Sequence, residues 1–257
     1  MNAIVTGASG GIGKAITEVF AKNGINVWAC ASRKNESFES EMNRLAEDNH
    51  VWIKPVYFSL TDETDVKNGI KSILNEKLPI DILVNNAGVS PRSLLVMTPI
   101  DEIRKVMEIN FTSQMLVTQL IAKKMMRQKS GNIVNVSSVS GSLYPEQGGL
   151  AYGCSKAALA FSSRVLAREL ADYNIRVNTV SPGFVETSMW TGRSDSYLQE
   201  AKARSVMKRM GKPEEIANVV YFLTTPAASY MTGTNIDLEG GGRIAFPQKE
   251  EKASDER

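Results

Sequence analysis

The sequence has little of what metal-dependent, disulfide-stabilised or membrane-spanning proteins need. Its 257 residues include one histidine, His50, and two cysteines, Cys30 and Cys154. Two cysteines cannot form a disulfide framework, and with a single histidine they provide too few soft ligands for a zinc site. We therefore expect no metal site, and the cysteine count fits a reducing compartment such as the cytoplasm.

Long apolar runs and an excess of charge of one sign are also missing. No run of about 18 apolar residues occurs, which argues against a membrane-spanning helix. The first residues, Met1 to Val5, lack the features of a secretion signal. The formal net charge is +2, far from the basic surface of a nucleic-acid-binding protein. We expect a cytoplasmic protein without a nucleic-acid or membrane partner.

The sequence does contain short apolar runs that alternate with longer segments of helical spacing. Helical spacing is clearest at residues 12–22 and 103–126, and the predicted strands cover residues 3–5, 26–31, 52–58, 82–84, 132–136, 176–180 and 235–238. This alternation predicts an α/β fold, a single Rossmann-type doubly wound parallel sheet with helices on both faces. We expect one domain over residues 1–247, with cofactor and substrate sites together. The charged segment 248–257 is predicted to be a disordered tail.

A glycine-rich turn follows the first predicted strand and leads into the first helix. Its sequence is Thr6-Gly7-Ala8-Ser9-Gly10-Gly11-Ile12-Gly13. Glycines let the backbone turn sharply and approach a pyrophosphate, and a helix N-terminus offers free N–H groups and a favourable dipole. A glycine cluster alone is a weak signal, but its place between a first strand and a first helix predicts a dinucleotide-binding site.

The end of the second strand bears on which dinucleotide is bound. A carboxylate there suits the ribose 2′-hydroxyl of NAD, whereas basic groups suit the 2′-phosphate of NADP. The segment reads Cys30-Ala31-Ser32-Arg33-Lys34, with no acid before Glu36. Since Ser32 can donate a hydrogen bond and Arg33 can pair with a phosphate, we expect NADP(H) to be preferred over NAD(H).

Tyr152 and Lys156 are the candidate catalytic pair. Their spacing of four places them on one helical face. A neighbouring ammonium stabilises phenolate, so Lys156 is expected to lower the pKa of Tyr152 toward the working range. Ser138, after the fifth strand, could hold a substrate oxygen beside the Tyr152 hydroxyl. This set predicts hydride delivery to a carbonyl carbon with proton donation by Tyr152.

Taken together, these motifs resemble those of the short-chain dehydrogenase/reductase family, over nearly the whole chain up to Gly242. The matching pieces occur in the family's order: the Thr6 to Gly13 turn, Asn85-Asn86-Ala87-Gly88, Asn110, Ser138, Tyr152 to Lys156, and Pro182-Gly183 with Thr187. The resemblance implies an NAD(P)-dependent oxidoreductase acting on a carbonyl or secondary alcohol. It also implies a homotetramer, the common assembly of this family.

The resemblance implies roles for individual residues. Asn110 would support a proton-relay water near Lys156, and Lys156 would also hold the nicotinamide ribose. The catalytic set would then be Asn110, Ser138, Tyr152 and Lys156. The residues expected to bind the cofactor are Gly7, Ser9, Gly11, Ile12, Gly13, Ser32, Arg33, Ser59, Leu60, Asn85, Ala87, Gly88, Tyr152, Lys156, Pro182, Gly183, Val185 and Thr187.

Within the family the chain is most similar to 3-oxoacyl-acyl-carrier-protein reductases. The segments at residues 181–187 and 209–217 carry this likeness, which implies reduction of a 3-oxoacyl thioester with NADPH. Three departures stand out. Ser59 occupies a position near the adenine that is usually acidic, and the loop between Ser138 and Tyr152 is one residue longer. Lys129 matches a carrier-docking base, but Asp172 replaces another, and an acid there would repel an acidic acyl carrier protein.

Three other functions can be compared with the same motifs: two fit them less well and one fits them equally well. A non-catalytic dinucleotide sensor should lack part of the Ser138, Tyr152 and Lys156 set. A sugar-nucleotide epimerase or dehydratase generally needs a larger C-terminal region. The alternative that stays open is a dehydrogenase or reductase of a sugar, polyol, steroid or other small secondary alcohol. The segment at residues 189–193 is expected to form a lid over the substrate.

Overall fold

The computed structural model describes residues 1–188, 192 and 194–244. The predicted tail at residues 248–257 and most of the predicted lid at residues 189–193 lie outside these described residues. Seven parallel strands form one sheet in the order β3-β2-β1-β4-β5-β6-β7. They are β1 Asn2–Thr6, β2 Asn26–Ala31, β3 Ile53–Tyr57, β4 Ile82–Asn85, β5 Gly131–Val136, β6 Ile175–Pro182 and β7 Asn235–Leu238. The predicted Rossmann-type α/β fold is therefore confirmed, and all seven predicted strands are present.

The helices connect these strands and cover both faces of the sheet. They are α1 Gly11–Lys22, α2 Glu36–Asn49, α3 Glu63–Asn75, α4 Ile100–Met107, α5 Ser113–Gln128, α6 Leu150–Glu169, α7 Asp195–Ala203 and α8 Pro213–Thr224. No helix in the part of the chain that the structure describes is long and apolar enough to cross a membrane.

Two apolar cores lie on the two faces of the sheet, because successive strand residues point to opposite faces. In β1, Ala3 and Val5 face a core built with α1, α2 and α8. Ile4 faces the other core, built with α3, α5 and α6. Phe20 and Trp28 are among the largest fully buried side chains. The inner strands β1, β2 and β4 are buried over almost their whole length and are mostly apolar, as is usual in parallel sheets.

The start of α1 differs from the starts of α2 and α3. The Asn35 side chain accepts hydrogen bonds from two backbone N–H groups at the start of α2, and Asp62 does the same for α3. At α1 the preceding residue is Gly10, and no side chain among the described residues caps the helix. The first N–H groups of α1 therefore remain available to an anion.

The predicted continuous helix at residues 103–126 is wrong in one respect. A π-helical turn, Glu108–Thr112, separates α4 from α5. Asn110 lies in this turn and is fully buried. Single π turns accommodate an extra residue within a helix and occur frequently at functional sites.

The β3 edge of the sheet contains a proline. Pro55 lies opposite Ala29 of β2. Proline cannot donate a ladder hydrogen bond, and it is tolerated here because β3 has a neighbouring strand on only one side.

Candidate active site

A cavity of about 1970 Å³ lies at the carboxyl ends of the strands. It spans the point where the strand order reverses, between β1 and β4, which is where open parallel sheets bind their ligands. Most of the residues expected from the sequence to form the site line this cavity. They are Gly7, Ser9, Gly11, Ile12, Ser32, Arg33, Ser59, Leu60, Ala87, Gly88, Ser138, Tyr152, Lys156, Pro182, Gly183, Val185 and Thr187.

The glycine-rich turn has the backbone geometry of a phosphate-binding loop. Gly7 and Gly11 have φ angles of 67° and 51°, in the left-handed region that favours glycine. A Cβ on Gly7 would lie 2.9 Å from the Ala87 Cα, so a side chain cannot be added there without moving the backbone. Together with the uncapped start of α1, the turn provides a cradle that fits the pyrophosphate of a dinucleotide.

Gly13 has a packing role that the sequence did not reveal. It does not line the cavity, and a Cβ on Gly13 would lie 2.1 Å from the Gly7 carbonyl oxygen and 2.5 Å from Asn86 Nδ2. Asn86, which was not among the predicted site residues, does line the cavity. Its side-chain amide donates to the Thr6 and Gly7 carbonyl oxygens. The close approach at Gly13 thus packs α1 against the turn, and the hydrogen bonds of Asn86 hold the turn against the end of β4.

The other end of the cavity lies at the end of β2. Ser32 and Arg33 are exposed there, and Arg33 makes no hydrogen bond or ion pair with any described residue. Lys34, which follows, lies 3.8 Å from Glu39. An exposed guanidinium without a carboxylate partner fits the 2′-phosphate of NADP.

Ser59 and Leu60 follow β3 and line the same part of the cavity. The Ser59 N–H donates to an Asp65 side-chain oxygen at 2.7 Å, and the Ser59 hydroxyl is 2.8 Å from the Thr61 hydroxyl. The Leu60 carbonyl accepts a hydrogen bond from Ser113 on α5. These bonds fix the loop where the adenine was expected to lie.

Asn85 does not face the cavity, contrary to the expectation that it flanks the cofactor. It is fully buried, and its amide group donates to Thr118 and to Asn135, both at 2.8 Å. The Asn85 amide is therefore committed to a polar network beneath the sheet edge, because a buried donor needs a partner. Ala87 and Gly88, two and three residues later, line the cavity instead.

Asn110 lies behind the cavity wall. Its side chain accepts from the Val89 N–H at 2.8 Å and donates to the Val89 carbonyl at 2.9 Å and to the Ser155 hydroxyl at 3.0 Å. A Cβ on Gly88 would lie 3.2 Å from Asn110 Oδ1 and 3.3 Å from Lys156 Nζ. The π turn thus places Asn110 beside Lys156, and the Asn110 side chain ties the loop after β4 to α6.

Ser138, Tyr152 and Lys156 converge on one side of the cavity. The Ser138 and Tyr152 side chains both line the cavity, and the Ser138 hydroxyl is near enough to lower the pKa of Tyr152. Lys156, one turn along α6, is buried, and its Nζ donates to the Val136 carbonyl at 2.8 Å. The Nζ lies 5.9 Å from the centre of the Tyr152 ring. Two hydroxyls and one ammonium are therefore presented together at the carboxyl end of β5.

The expectation that Lys156 lowers the pKa of Tyr152 is wrong for this arrangement of the protein's own groups. Burial raises the pKa of Tyr152 above its usual value of 10, and this effect outweighs that of the nearby Ser138 hydroxyl, which lowers it. The Glu146 charge also raises it, whereas the Arg92 charge lowers it. Burial lowers the pKa of Lys156 to about 8. A phenol with a raised pKa stays protonated at neutral pH and can act as a proton donor.

The wall beyond β6 closes the cavity over the glycine-rich turn. β6 ends at Pro182, and the Gly183 N–H donates to the Leu238 carbonyl of β7 at 2.9 Å. Val185 forms an isolated parallel bridge with Gly211. A Cβ on Gly11 would lie 3.2 Å from the Thr187 methyl, so Thr187 stands directly across from the start of α1.

Charged residues that the sequence did not single out as site residues line the substrate side of the cavity. Glu146 pairs with Arg92 and, at 2.9 Å, with Arg204. We call these three residues the arginine–glutamate cluster. The only sequence signal for this cluster was the extra residue in the loop around Glu146, because the two arginines are 54 and 58 residues away from it.

Lys129 and Asp172 lie away from the cavity. Lys129 lies two residues before β5 and Asp172 three residues before β6, so both are at the amino ends of the strands, opposite the cavity edge. Both are exposed. A carrier protein bound at these two residues would not border the cavity of the same chain.

Comparison with known proteins gives consistent matches. A family model described as "Enoyl-(Acyl carrier protein) reductase" matches residues 7–242. The 3-oxoacyl-[acyl-carrier-protein] reductase of Thermotoga maritima is 38% identical over 93% of this chain and 96% of its own. The enzyme of the same name from Aquifex aeolicus is also 38% identical, over 93% and 95%.

Two solved structures are also similar to this chain. A short-chain type dehydrogenase/reductase from Mycobacterium marinum has 31% identity and a TM-score of 0.88, covering 95% of this chain and 96% of its own. A protein of Agrobacterium tumefaciens, provisionally described as a gluconate dehydrogenase, has 27% identity and a TM-score of 0.87, covering 96% of both chains. The parallel sheet, the site at its carboxyl edge and these matches establish that the chain belongs to the short-chain dehydrogenase/reductase family of oxidoreductases.

Proposed function

We propose that this protein is an NADPH-dependent reductase of 3-oxoacyl thioesters, with Ser138, Tyr152 and Lys156 as its catalytic residues. The observation that carries the proposal is the convergence of Ser138, Tyr152 and the buried Lys156 on one side of the cavity at the sheet edge. The names of the T. maritima and A. aeolicus relatives support the thioester substrate. Arg33 supports NADPH.

A nicotinamide held in this cavity would supply the hydride for the carbonyl carbon of the substrate. Tyr152 donates its phenolic proton to the carbonyl oxygen, which yields the alcohol, and Ser138 holds that oxygen in place by hydrogen bonding. Lys156 would hold the nicotinamide ribose, since its buried ammonium is fixed by the Val136 carbonyl and lies 5.9 Å from the centre of the Tyr152 ring. Asn110 keeps the loop after β4 fixed against α6 and supports a relay water near Lys156.

A second candidate is a dehydrogenase of a sugar, polyol or other small secondary alcohol. The arginine–glutamate cluster on the substrate side favours it, because charged groups suit a hydroxylated or acidic substrate better than an alkyl chain. The provisional description of the A. tumefaciens structure points the same way. With either substrate, residues 1–247 form one cytoplasmic domain that contains both the cofactor and the substrate site.

Oxidation of NADPH and NADH with acetoacetyl-CoA, and with a panel of ketones and keto sugars, separates the two candidates. Turnover of acetoacetyl-CoA with NADPH supports the thioester reductase. Turnover of another carbonyl, without turnover of acetoacetyl-CoA, assigns the protein to the second candidate. The proposed roles of the catalytic residues would then stay the same.

Replacing Tyr152 by phenylalanine tests the mechanism itself. Tyr152→Phe should lower kcat by about 10²–10⁴, the usual contribution of a positioned acid. Cofactor affinity, measured by NADPH fluorescence, should change little, because the ring and its packing are kept. Full activity in this variant would overturn the proposed catalytic role of Tyr152.

A further inference from the structure

Three segments of the chain meet on the substrate side of the cavity, and the arginine–glutamate cluster joins them. Arg92 belongs to the loop after β4, Glu146 to the loop before α6, and Arg204 follows the last residue of α7. One Glu146 oxygen accepts from Arg92 and the other accepts from Arg204 at 2.9 Å. A single carboxylate therefore bridges two loops and a helix.

Glu146 is itself fixed to the start of the helix that carries Tyr152. Its carbonyl oxygen accepts a hydrogen bond from the Gly149 N–H at 2.9 Å, and Gly149 is the residue before α6. In the same turn, the Gly148 carbonyl accepts from the Ser93 N–H at 3.1 Å. Movement of the Glu146 backbone is thus restrained by both α6 and the loop after β4.

Aromatic contacts extend these links to α7. The Arg92 guanidinium lies 5.7 Å from the centre of the Tyr197 ring on α7, and the Arg204 guanidinium lies 5.5 Å from the Phe184 ring. The Phe184 and Tyr197 rings meet edge to face at 6.3 Å. These distances are typical of cation–π and aromatic pairs.

The Glu146 side chain is only 10% exposed, although it carries a charge. A carboxylate at this depth needs both of its partners, because removing either leaves part of the charge without compensation. The Arg204 side chain is 53% exposed, so the contact that reaches α7 is the weaker of the two.

We propose that Glu146 is a positioning residue that fastens α7 to the start of α6 and so holds the substrate side of the cavity closed around Tyr152. The inference rests on the proposed acid–base role of Tyr152 for its effect on catalysis. The attachment of α7 to Glu146 does not depend on that role.

The same contacts put opposite charges near the Tyr152 hydroxyl. The groups facing it are Ser138 and Lys156, together with Glu146 from the loop before α6 and Arg92 from the loop after β4. The Glu146 charge raises the pKa of Tyr152 and the Arg92 charge lowers it. Loss of Glu146 should therefore shift proton loss from Tyr152 to lower pH.

Glu146→Gln is the decisive variant, because it keeps the side-chain shape and removes the charge. Glu200→Gln is the matched control, since Glu200 lies on α7, lines the same cavity and has no ion pair with any described residue. Hydrogen exchange of residues 195–203 should be about two- to fivefold faster in Glu146→Gln, as expected for ion pairs of this exposure. Exchange in Glu200→Gln should match the wild type.

The pH profile of NADPH oxidation, with acetoacetyl-CoA or the fastest carbonyl of the panel, provides the second readout. Lys156, with a pKa of about 8, loses its proton first. The part of the alkaline limb at higher pH reports loss of the Tyr152 proton, and that part should move to lower pH in Glu146→Gln and to higher pH in Arg92→Met. Arg204→Met should loosen α7 as Glu146→Gln does, with a smaller shift of the limb. A purely structural contact would change the exchange rate and leave the limb in place.

Unchanged exchange at residues 195–203 in both Glu146→Gln and Arg204→Met, with the fold intact by circular dichroism, would overturn the proposal. Faster exchange without any shift of the alkaline limb would reduce Glu146 to a structural contact, which also contradicts it. The proposed function fails on a different result, namely full activity of Tyr152→Phe, and that result leaves the exchange measurement valid.

Discussion

Arg33 is the residue from which cofactor preference can be tested most directly. It is exposed at the end of β2, lines the cavity and has no partner among the described residues. Replacing it by alanine should weaken NADPH binding by roughly 10- to 100-fold, the loss of one or two charge-assisted hydrogen bonds. NADH binding should change little, because NADH has no 2′-phosphate.

Fluorescence titration of both cofactors measures the effect, and Lys34→Ala is the matched control. Lys34 is the adjacent exposed cation, lies 3.8 Å from Glu39 and does not line the cavity. If Arg33→Ala left the ratio of the two affinities unchanged, Arg33 would have no part in cofactor selection.

Individual site residues were predictable where they belong to a short pattern of neighbouring residues in the sequence. The turn through Gly7 and Gly11 and the spacing of Tyr152 and Lys156 depend on neighbouring positions in the chain, and the structure places all four along one cavity. Asn85 and Gly13 were misplaced because the sequence does not show which face of the end of β4, or of the first turn of α1, meets the cavity. Glu146 and Arg204 were missed because their pairing depends on contacts between distant segments.

At the scale of elements, the contact between α1 and the end of β1 offers a sharp test. Gly13→Ala would place a Cβ 2.1 Å from the Gly7 carbonyl, whereas a Cβ on Gly10 meets no atom within 4 Å. Gly10 also has an extended backbone, with φ of −174°. Gly13→Ala should therefore destabilise the protein by about 1–3 kcal/mol, as overpacking does, and Gly10→Ala by much less.

Denaturant unfolding of the two glycine variants measures this difference. Equal free energies of unfolding would mean that α1 can shift relative to β1 without cost, contrary to the packing described here.

The strands and most helices were predictable because apolar periodicity reflects burial, and here it matches the sheet to within about one or two residues at most strand ends. The π turn at Glu108–Thr112 was not predictable in the same way. One extra residue per turn barely disturbs an apolar pattern that continues on both sides of it. The hydrogen bonds made from this turn run from Asn110 to Val89 and Ser155, 21 and 45 residues away, and such distant contacts are not visible in a local pattern.

At the scale of the whole molecule, assembly into a homotetramer stays a prediction, and α6 provides a place to test it. Phe161 and Val165 lie one turn apart on its outer face and are 63% and 43% exposed, in line with the exposed Cys154. A groove between α5 and α6, lined by Leu116, Met126 and Leu166, lies on the same side of the sheet. Exposed apolar stripes of this kind mark interaction surfaces.

Phe161→Glu should therefore shift the protein to a smaller species, since burying an unpaired carboxylate in an interface is costly. Light scattering coupled to size exclusion gives the mass directly, and Arg164→Glu on the neighbouring exposed position is the control for charge alone. A wild-type protein that elutes as a monomer would contradict the tetramer, and an unaffected Phe161→Glu tetramer would place the interface elsewhere.

Pro55 affects whether two copies of this protein can pair edge to edge through their sheets. Unpaired strand edges are templates for unwanted growth of a sheet. At the β3 edge, the missing N–H of Pro55 removes one of the donors that an incoming strand would require. Lateral growth from that edge is thereby discouraged, which leaves the four-residue strand β7 as the more open end of the sheet.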